Sequence, residues 1–159
     1  MQIVVDPVTD PRVTEFLAAH QRQLWEVTPN PETSSHALDL DGLRRPGVTV
    51  WTAWDDAQDP PALLGCAALA AIDGEPGHVE LKSMRTDATR VRRGVATRLL
   101  LHVLDHARAA GHTRVSLETG SFAFFEPARL LYARHGFAEC EPFGSYAPDP
   151  SSTFMTLAL

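Results

Sequence analysis

Four arginines (Arg85, Arg90, Arg92 and Arg93) crowd residues 85–93 of a 159-residue chain whose formal net charge is −6. Gly94, Val95 and Ala96 follow at once, and then an apolar pattern of helical spacing that runs to about Ala110. Ahead of the arginines, Val79 to Met84 alternates as a strand does. A strand that ends in a turn and feeds straight into a helix suits an anion. The first helical turn has unpaired N–H groups and a partial positive charge, and both favour phosphate. Gly94 and Ala96 keep the inner side of the turn small, so a bulky anion reaches the backbone itself. The expectation is a turn that holds the pyrophosphate of a cofactor.

The elements that must carry this turn can be read in order. Gln2 to Val5 is a short β-branched strand. Pro11 opens a helix, with Val13, Phe16, Leu17, His20 and Leu24 at helical spacing. Thr28 to Thr33 is a loop by its prolines, and Ser34-Ser35 caps a second short helix through Leu43. Val48 to Trp54 and Leu63 to Ala71 are strands joined by the turn-rich stretch Asp55 to Pro61. The nearly all-apolar second run suits a central strand. On the strand that follows, His78, Glu80, Lys82 and Met84 are expected on one face and Val79, Leu81 and Ser83 on the other. The long helix after Gly94 is expected to place Ala96, Leu99, Leu100, Val103, Ala107 and Ala110 on one side, with Gly111 as its C-cap. Thr113 to Glu118 is a strand. A helix opened near Pro127 ends at Gly136, with Phe124, Ala128, Leu131, Tyr132 and His135 on a common face. Two closing strands, from Phe137 and over Thr153 to Leu157, flank a proline-bearing loop, Gly144 to Ser152. The order is β-α-α-β-β-β-α-β-α-β-β, an α/β chain with a mixed sheet, expected to form a single domain over 1–159.

Composition narrows the function classes. The acidic balance, with its basic residues in one short cluster, argues against nucleic acid as a partner. No apolar run reaches membrane-spanning length, and no signal pattern opens the chain. The two cysteines, Cys66 and Cys140, have no metal-ligand spacing, which points to free thiols and a cytoplasmic location. His102 and His106 stand four apart on the long helix, but no third ligand is in register, so no metal is expected. Cys66, in an apolar strand, reads as core, and Trp51 and Trp54 as packing. The phosphate-binding motifs of nucleotide triphosphatases and dinucleotide dehydrogenases are missing.

The element order, with Arg92-Arg93-Gly94-Val95-Ala96 opening the helix after the fourth strand, resembles the GNAT superfamily of acyl-CoA-dependent N-acetyltransferases. Gly94 and Ala96 match the last two fixed positions of that family's Gln/Arg-x-x-Gly-x-Gly/Ala loop, while Val91 stands at the first. Ala128, Tyr132, Gly136 and Phe137 match its second motif, with Phe125 where an asparagine is frequent. Ser116 to Ser121 and the ending Glu141 to Thr156 are similar to a branch of small bacterial enzymes. The resemblance implies the family's fold, with a splayed central sheet, and acetyl-CoA as cofactor.

It also implies roles. The backbone of Met84 and Thr86, with Arg85 between them, would meet the pantetheine arm, and an amide there, Met84's, would polarise the thioester oxygen. The amides of Arg92, Arg93, Gly94, Val95, Ala96 and Thr97 would take the pyrophosphate, Arg92 and Arg93 adding salt-sensitive charge. Ala128 would line the cofactor. Tyr132 is the candidate general acid: a hydroxyl with a reference pKa of about 10 stays protonated and can donate to a thiolate whose own pKa is about 8.5. Glu80 is the candidate base, two steps back from Met84. His36, Glu118 and Tyr146 are candidate contacts for the acceptor. Two readings stay open. One is an N-acetyltransferase that moves an acetyl group to a small-molecule amine by direct attack in a ternary complex. The other is an acyl-CoA-binding sensor of the same shape without transfer. Homodimer formation through the closing strands is an expectation by analogy alone.

Overall fold

In the computed structural model, which describes residues 1–90 and 93–159, the elements run β1 (Gln2–Val5), α1 (Pro11–Val27), α2 (Pro31–Ser34), α3 (Leu40–Leu43), β2 (Val48–Asp55), β3 (Ala62–Ala71), β4 (His78–Thr86), α4 (Val95–Ala109), β5 (Arg114–Gly120), α5 (Glu126–Arg134), β6 (Ala138–Glu139) and β7 (Ser152–Ala158). Among the described residues the strands form one seven-stranded sheet in the order β1-β2-β3-β4-β5-β7-β6. Neighbours are antiparallel except β4 and β5, which are parallel because α4 carries the chain across between them.

Each face of the sheet has its own core. On one side α4 buries Val95, Leu99, Leu100, Val103, Leu104 and Ala107 against Trp51, Leu69, Leu81, Val115 and Leu117. On the other, α1 and α3 bring Val13, Leu17 and Leu43 to Val50, Cys66 and Ala68. Helix α1 starts where Asp10 accepts from the Arg12 N–H at 2.8 Å, with Pro11 at the first helical position.

The sheet opens at its centre. β4 and β5 pair at His78↔Arg114, Val79↔Val115 and Glu80↔Ser116. β4 then continues beside β3 as far as Thr86↔Gly65, and β5 beside β7 as far as Gly120↔Ser152. A bulge contributes to the divergence: the β3–β4 register shifts between Cys66 and Ala68, and Ser83 opposite takes a φ of 51°. Polar contacts hold the closed end together. His78 Nε2 lies 2.6 Å from Ser116 Oγ, which lies 2.8 Å from Thr156 Oγ1. This chain ties β4, β5 and β7 in register just below the split.

Several sequence expectations are corrected. The predicted second helix, Ser34 to Leu43, is two single turns, α2 and α3, and α2 begins inside the predicted Thr28 to Thr33 loop. The chain turns extended at Ser35, with φ −98° and ψ 113°, and a new helical turn starts only where the Asp39 side chain accepts from the Gly42 N–H at 2.7 Å. The strand from Phe137 is only two residues, Ala138–Glu139. In α4, Val95 and Leu104 are buried while Ala110 is exposed. Phe124 belongs to a short turn before α5 and is 44% exposed, off the face that carries Tyr132. Strict alternation on β4 also fails: past the Ser83 bulge, Met84 packs against the α4-side core with Leu81, not on the Glu80 face.

Candidate active site

The split between β4 and β5 is a cleft with one wall from each strand. Glu80, Lys82, Ser83 and Met84 line the β4 wall, and Glu118, Thr119 and Gly120 the β5 wall. Alternation places Glu80, Lys82, Ser116 and Glu118 on the sheet face turned away from α4, because Val79, Leu81, Val115 and Leu117 occupy the α4 face. Helix α5 lies on the α4 face, where Leu131 and Tyr132 join the same core, and its Ala128 and Tyr132 line the cleft. The opening therefore brings groups from both faces together. In a continuous sheet the backbone would keep them apart.

Beside the cleft, α4 begins without a side-chain cap. Gly94 occupies the N-cap position in the left-handed region, at φ 74°, and a Cβ there would meet no atom within 4 Å. The Arg98 N–H donates to the Gly94 C=O at 3.0 Å, and among the described residues the Val95, Ala96 and Thr97 amides ahead of it have no acceptor. Side chain and backbone divide the work here, since the Val95 side chain is buried in the core. An uncapped, sterically open helix start fits a diphosphate by the donor set it presents. Arg93 is exposed next to it. Arg92, and Val91 at the family's first loop position, lie outside the described residues.

The other arginines are engaged elsewhere. Arg90 reaches Asp55 at 3.4 Å and Asp87 at 3.7 Å. Arg85, expected among the cofactor contacts, donates to Gln23 on α1 and lines a separate hollow with Phe16, His20 and Thr86. That side chain leans away from the α4 start because Arg85 pairs with Cys66 across the bulge, on the α1 side of the sheet. Gly65 makes the approach of the two strands possible: a Cβ there would stand 2.5 Å from the Arg85 carbonyl oxygen.

Tyr132 is 5% exposed and packs on Phe137, with ring centroids 5.7 Å apart. Among the described residues its hydroxyl has no hydrogen-bond partner. Burial, and then the charge of Glu118, push that hydroxyl above its ordinary value, so it is a proton donor throughout the neutral range. Glu118 accepts from Ser152 Oγ at 2.8 Å. Burial raises its carboxyl to about 7, against the lowering effect of that bond.

On the opposite wall, Lys82 Nζ donates to Glu80 Oε1 at 3.0 Å and to the Tyr146 hydroxyl at 2.9 Å, while the Tyr146 hydroxyl donates to the same Glu80 oxygen at 2.5 Å. Glu80, expected as the base, is thus the shared acceptor of a closed triangle. The His36 ring meets the Tyr146 ring edge-on at 5.1 Å, so the α1–α2 arm and the loop before β7 join over the cleft. The structure brings His36, Glu80, Glu118, Tyr132 and Tyr146 to one place. It also adds residues that spacing did not reveal. Lys82 follows Glu80 on the same face, yet its second partner comes from a loop 64 residues on. His20 lines the cleft, with a buried Nδ1 that finds no partner among the described residues. Burial, and then the Arg85 charge, hold its ring down to about 4, so it is neutral. Phe125, at the family's asparagine position, packs against Gly120, where a Cβ would strike its ring.

The residues set aside earlier sit accordingly. Trp51 is buried, with the His106 ring edge-on at 4.8 Å and that of His102 at 6.1 Å. Cys66 is fully buried, its thiol pushed up to about 12 by burial, and Sγ donates to the Ser83 carbonyl at 3.2 Å. It is no nucleophile.

Comparison with known proteins agrees with this architecture. A family model described as "Acetyltransferase (GNAT) family" matches residues 13–137. YsnE, an uncharacterized N-acetyltransferase of Bacillus subtilis, is 45% identical over 159 residues, covering 100% of both chains. A GNAT-family acetyltransferase structure from Staphylococcus aureus superposes with a TM-score of 0.72 at 18% identity, covering 99% of this chain and 98% of that one. A Bacillus subtilis acetyltransferase in complex with CoA gives 0.67 at 16% identity, with the same coverage. These two structures show the shared fold. The chain belongs to the GNAT family of acetyltransferases. It is an acyl-CoA-dependent N-acetyltransferase, and acetyl-CoA is its acyl donor.

Proposed function

We propose that this enzyme moves the acetyl group of acetyl-CoA to the primary amine of a small-molecule acceptor, by direct attack while both are bound. The observation that carries this is the split between β4 and β5, which has the uncapped α4 start beside it and the Tyr132 hydroxyl inside it. In this reading the amides of Arg93, Gly94, Val95, Ala96 and Thr97 bind the pyrophosphate. Main-chain groups of β4 from Met84 to Thr86 align the pantetheine arm as an added strand would, and the Met84 amide polarises the acetyl carbonyl. Arg92 is assigned to the same anion surface from sequence alone. Ala128 leaves room for the thioester, and Tyr132 gives a proton to the departing sulfur.

His36, Tyr146 and Lys82 shape the acceptor end, with Glu118 facing them. Two half-buried carboxylates lining the cleft favour a cationic acceptor over an anionic one. The free thiols of Cys66 and Cys140 support a reducing compartment, the cytoplasm. No helix among the described residues is long and apolar enough to cross a membrane.

The test is thiol release from acetyl-CoA with primary amines of graded size: ethanolamine, tyramine, lysine and spermidine. Release with at least one amine, matched by formation of its acetamide, is the expected result. Acetyl-CoA binding by calorimetry with no thiol from any amine would replace the transferase by the sensor.

A further inference from the structure

Two carboxylates face the split from opposite walls, and their surroundings differ. Glu80 accepts two bonds at one oxygen, from Lys82 and from Tyr146, and its side chain is 13% exposed. Its charge is answered where it stands, and protonation would weaken both bonds. Glu118 accepts one bond, from Ser152, and among the described residues no cation forms an ion pair with it. It stands two residues past Ser116, the last β5 residue paired with β4, and therefore inside the opening. Tyr132 enters the same opening from the other face of the sheet.

We infer that Glu118 is the group that takes the proton from the incoming amine, and that Glu80 positions Lys82 and Tyr146 opposite it. This assignment rests on the transfer reaction proposed above. The ammonium form of the acceptor gives one proton to Glu118. The freed nitrogen lone pair forms a bond to the acetyl carbon as the carbon–sulfur bond breaks, and the electron pair of that bond leaves with sulfur. Tyr132 protonates the sulfur and is restored by the second proton lost from nitrogen. The products are the acetamide, the free thiol and one proton on Glu118, which passes to solvent.

The charges around Glu118 suit this role. Lys82 on β4 and the Ser152 hydroxyl on β7 favour its ionised form, while Glu80 and Asp149 oppose it. The Tyr132 and Tyr146 hydroxyls, on α5 and on the loop before β7, both feel its charge and stay protonated. Burial is the largest influence and sets the carboxyl at about 7. A base there is ionised above neutrality and matched to proton transfer close to it. Activity should be present above that pH and fall as pH drops through it.

The experiment is the pH dependence of kcat/KM, using whichever of ethanolamine, tyramine, lysine and spermidine supports thiol release. The wild type should show an acidic limb near pH 7 that stays in place when the amine is changed. Glu118→Gln should lose about a hundred-fold or more in kcat/KM, together with the limb, while binding acetyl-CoA as the wild type does by calorimetry. Ser152→Ala, which removes the one bond favouring ionised Glu118 without touching the carboxylate, should move the limb up by about half a pH unit. Glu80→Gln should raise KM for the amine and keep the limb. A limb that survives Glu118→Gln, or that follows Glu80→Gln, overturns the assignment and leaves the transferase standing. A wild type that releases no thiol with any amine overturns both.

Discussion

At the α4 end of the split the proposed binding groups are main-chain amides of consecutive residues, Val95, Ala96 and Thr97, whereas at the proposed acceptor end they are side chains brought from α1, the turn after α2, β4, β5 and the loop before β7. The first end is made by one local event, a helix that starts at a glycine. The second depends on His36, Glu80, Lys82, Glu118 and Tyr146 meeting across large stretches of sequence. A backbone cradle recognises a group common to every acyl-CoA and tolerates side-chain change. A side-chain cage selects one acceptor and can be rebuilt residue by residue. Substitutions should therefore separate the two ends, donor affinity responding at one and turnover or acceptor affinity at the other.

The largest effect should come where the ends meet. Tyr132→Phe removes the proton donor and little of the packing on Phe137, so kcat should fall by about a hundred-fold or more with the acetyl-CoA KM near the wild-type value. Steady-state kinetics at saturating acceptor decides it. An unchanged kcat would mean that the sulfur leaves without help from this residue.

The acceptor end should next reveal itself in the pH dependence of stability. His20 is held at about 4 in the folded protein, below its ordinary 6.5, so the unfolded chain binds the extra proton between those values. Its contribution is present above pH 6.5 and is lost as pH falls through 4. Glu118 is raised to about 7 from 4.5, so its contribution has the opposite sense: it is present below pH 4.5 and is lost as pH rises through 7. Each is worth at most ~3 kcal/mol, and in the wild type the two slopes largely cancel. Urea unfolding across that range should show stability rising with pH in Glu118→Gln and falling with pH in His20→Gln. Parallel curves for the two variants would break the assignment of both groups.

Two glycines sharpen the contrast further. Gly120→Ala drives a methyl into the Phe125 ring at the cleft wall and should cost ~1–3 kcal/mol by urea unfolding. Adding Phe125→Leu should recover much of that loss, because the two sites share one contact. Gly94→Ala meets nothing. Its cost is the left-handed backbone alone, ~1–2 kcal/mol, and it should appear as a raised KM for acetyl-CoA with kcat maintained. If Gly94→Ala lowered kcat and left that KM alone, the α4 start would not be the donor site.

Much of this molecule was legible in the chain. The strand, turn and helix from Val79 to Ala110 were readable because a period of two gives way to one of 3.6 across a glycine, and both periods are local properties. The motif from Ala128 to Phe137, and Tyr132 with it, could be placed by its resemblance to the family's second motif. The α1–α2 arm was less legible, since short proline-broken segments carry too few residues to show a period. Met84 was assigned to the wrong face because a bulge at Ser83 leaves no mark in the strand's own composition. The sequence pointed to the glycine turn before α4 as an anion site, and its resemblance to the family pointed to Tyr132 as the hydroxyl proposed to serve the sulfur. Only the tertiary structure set the two carboxylates apart: Glu80 accepts from Lys82 and from a tyrosine 66 residues away, while Glu118, among the described residues, accepts from Ser152 alone. The physical reason is that the state of a carboxylate depends on burial and on partners, and both are set by elements that meet only after the sheet has formed and split.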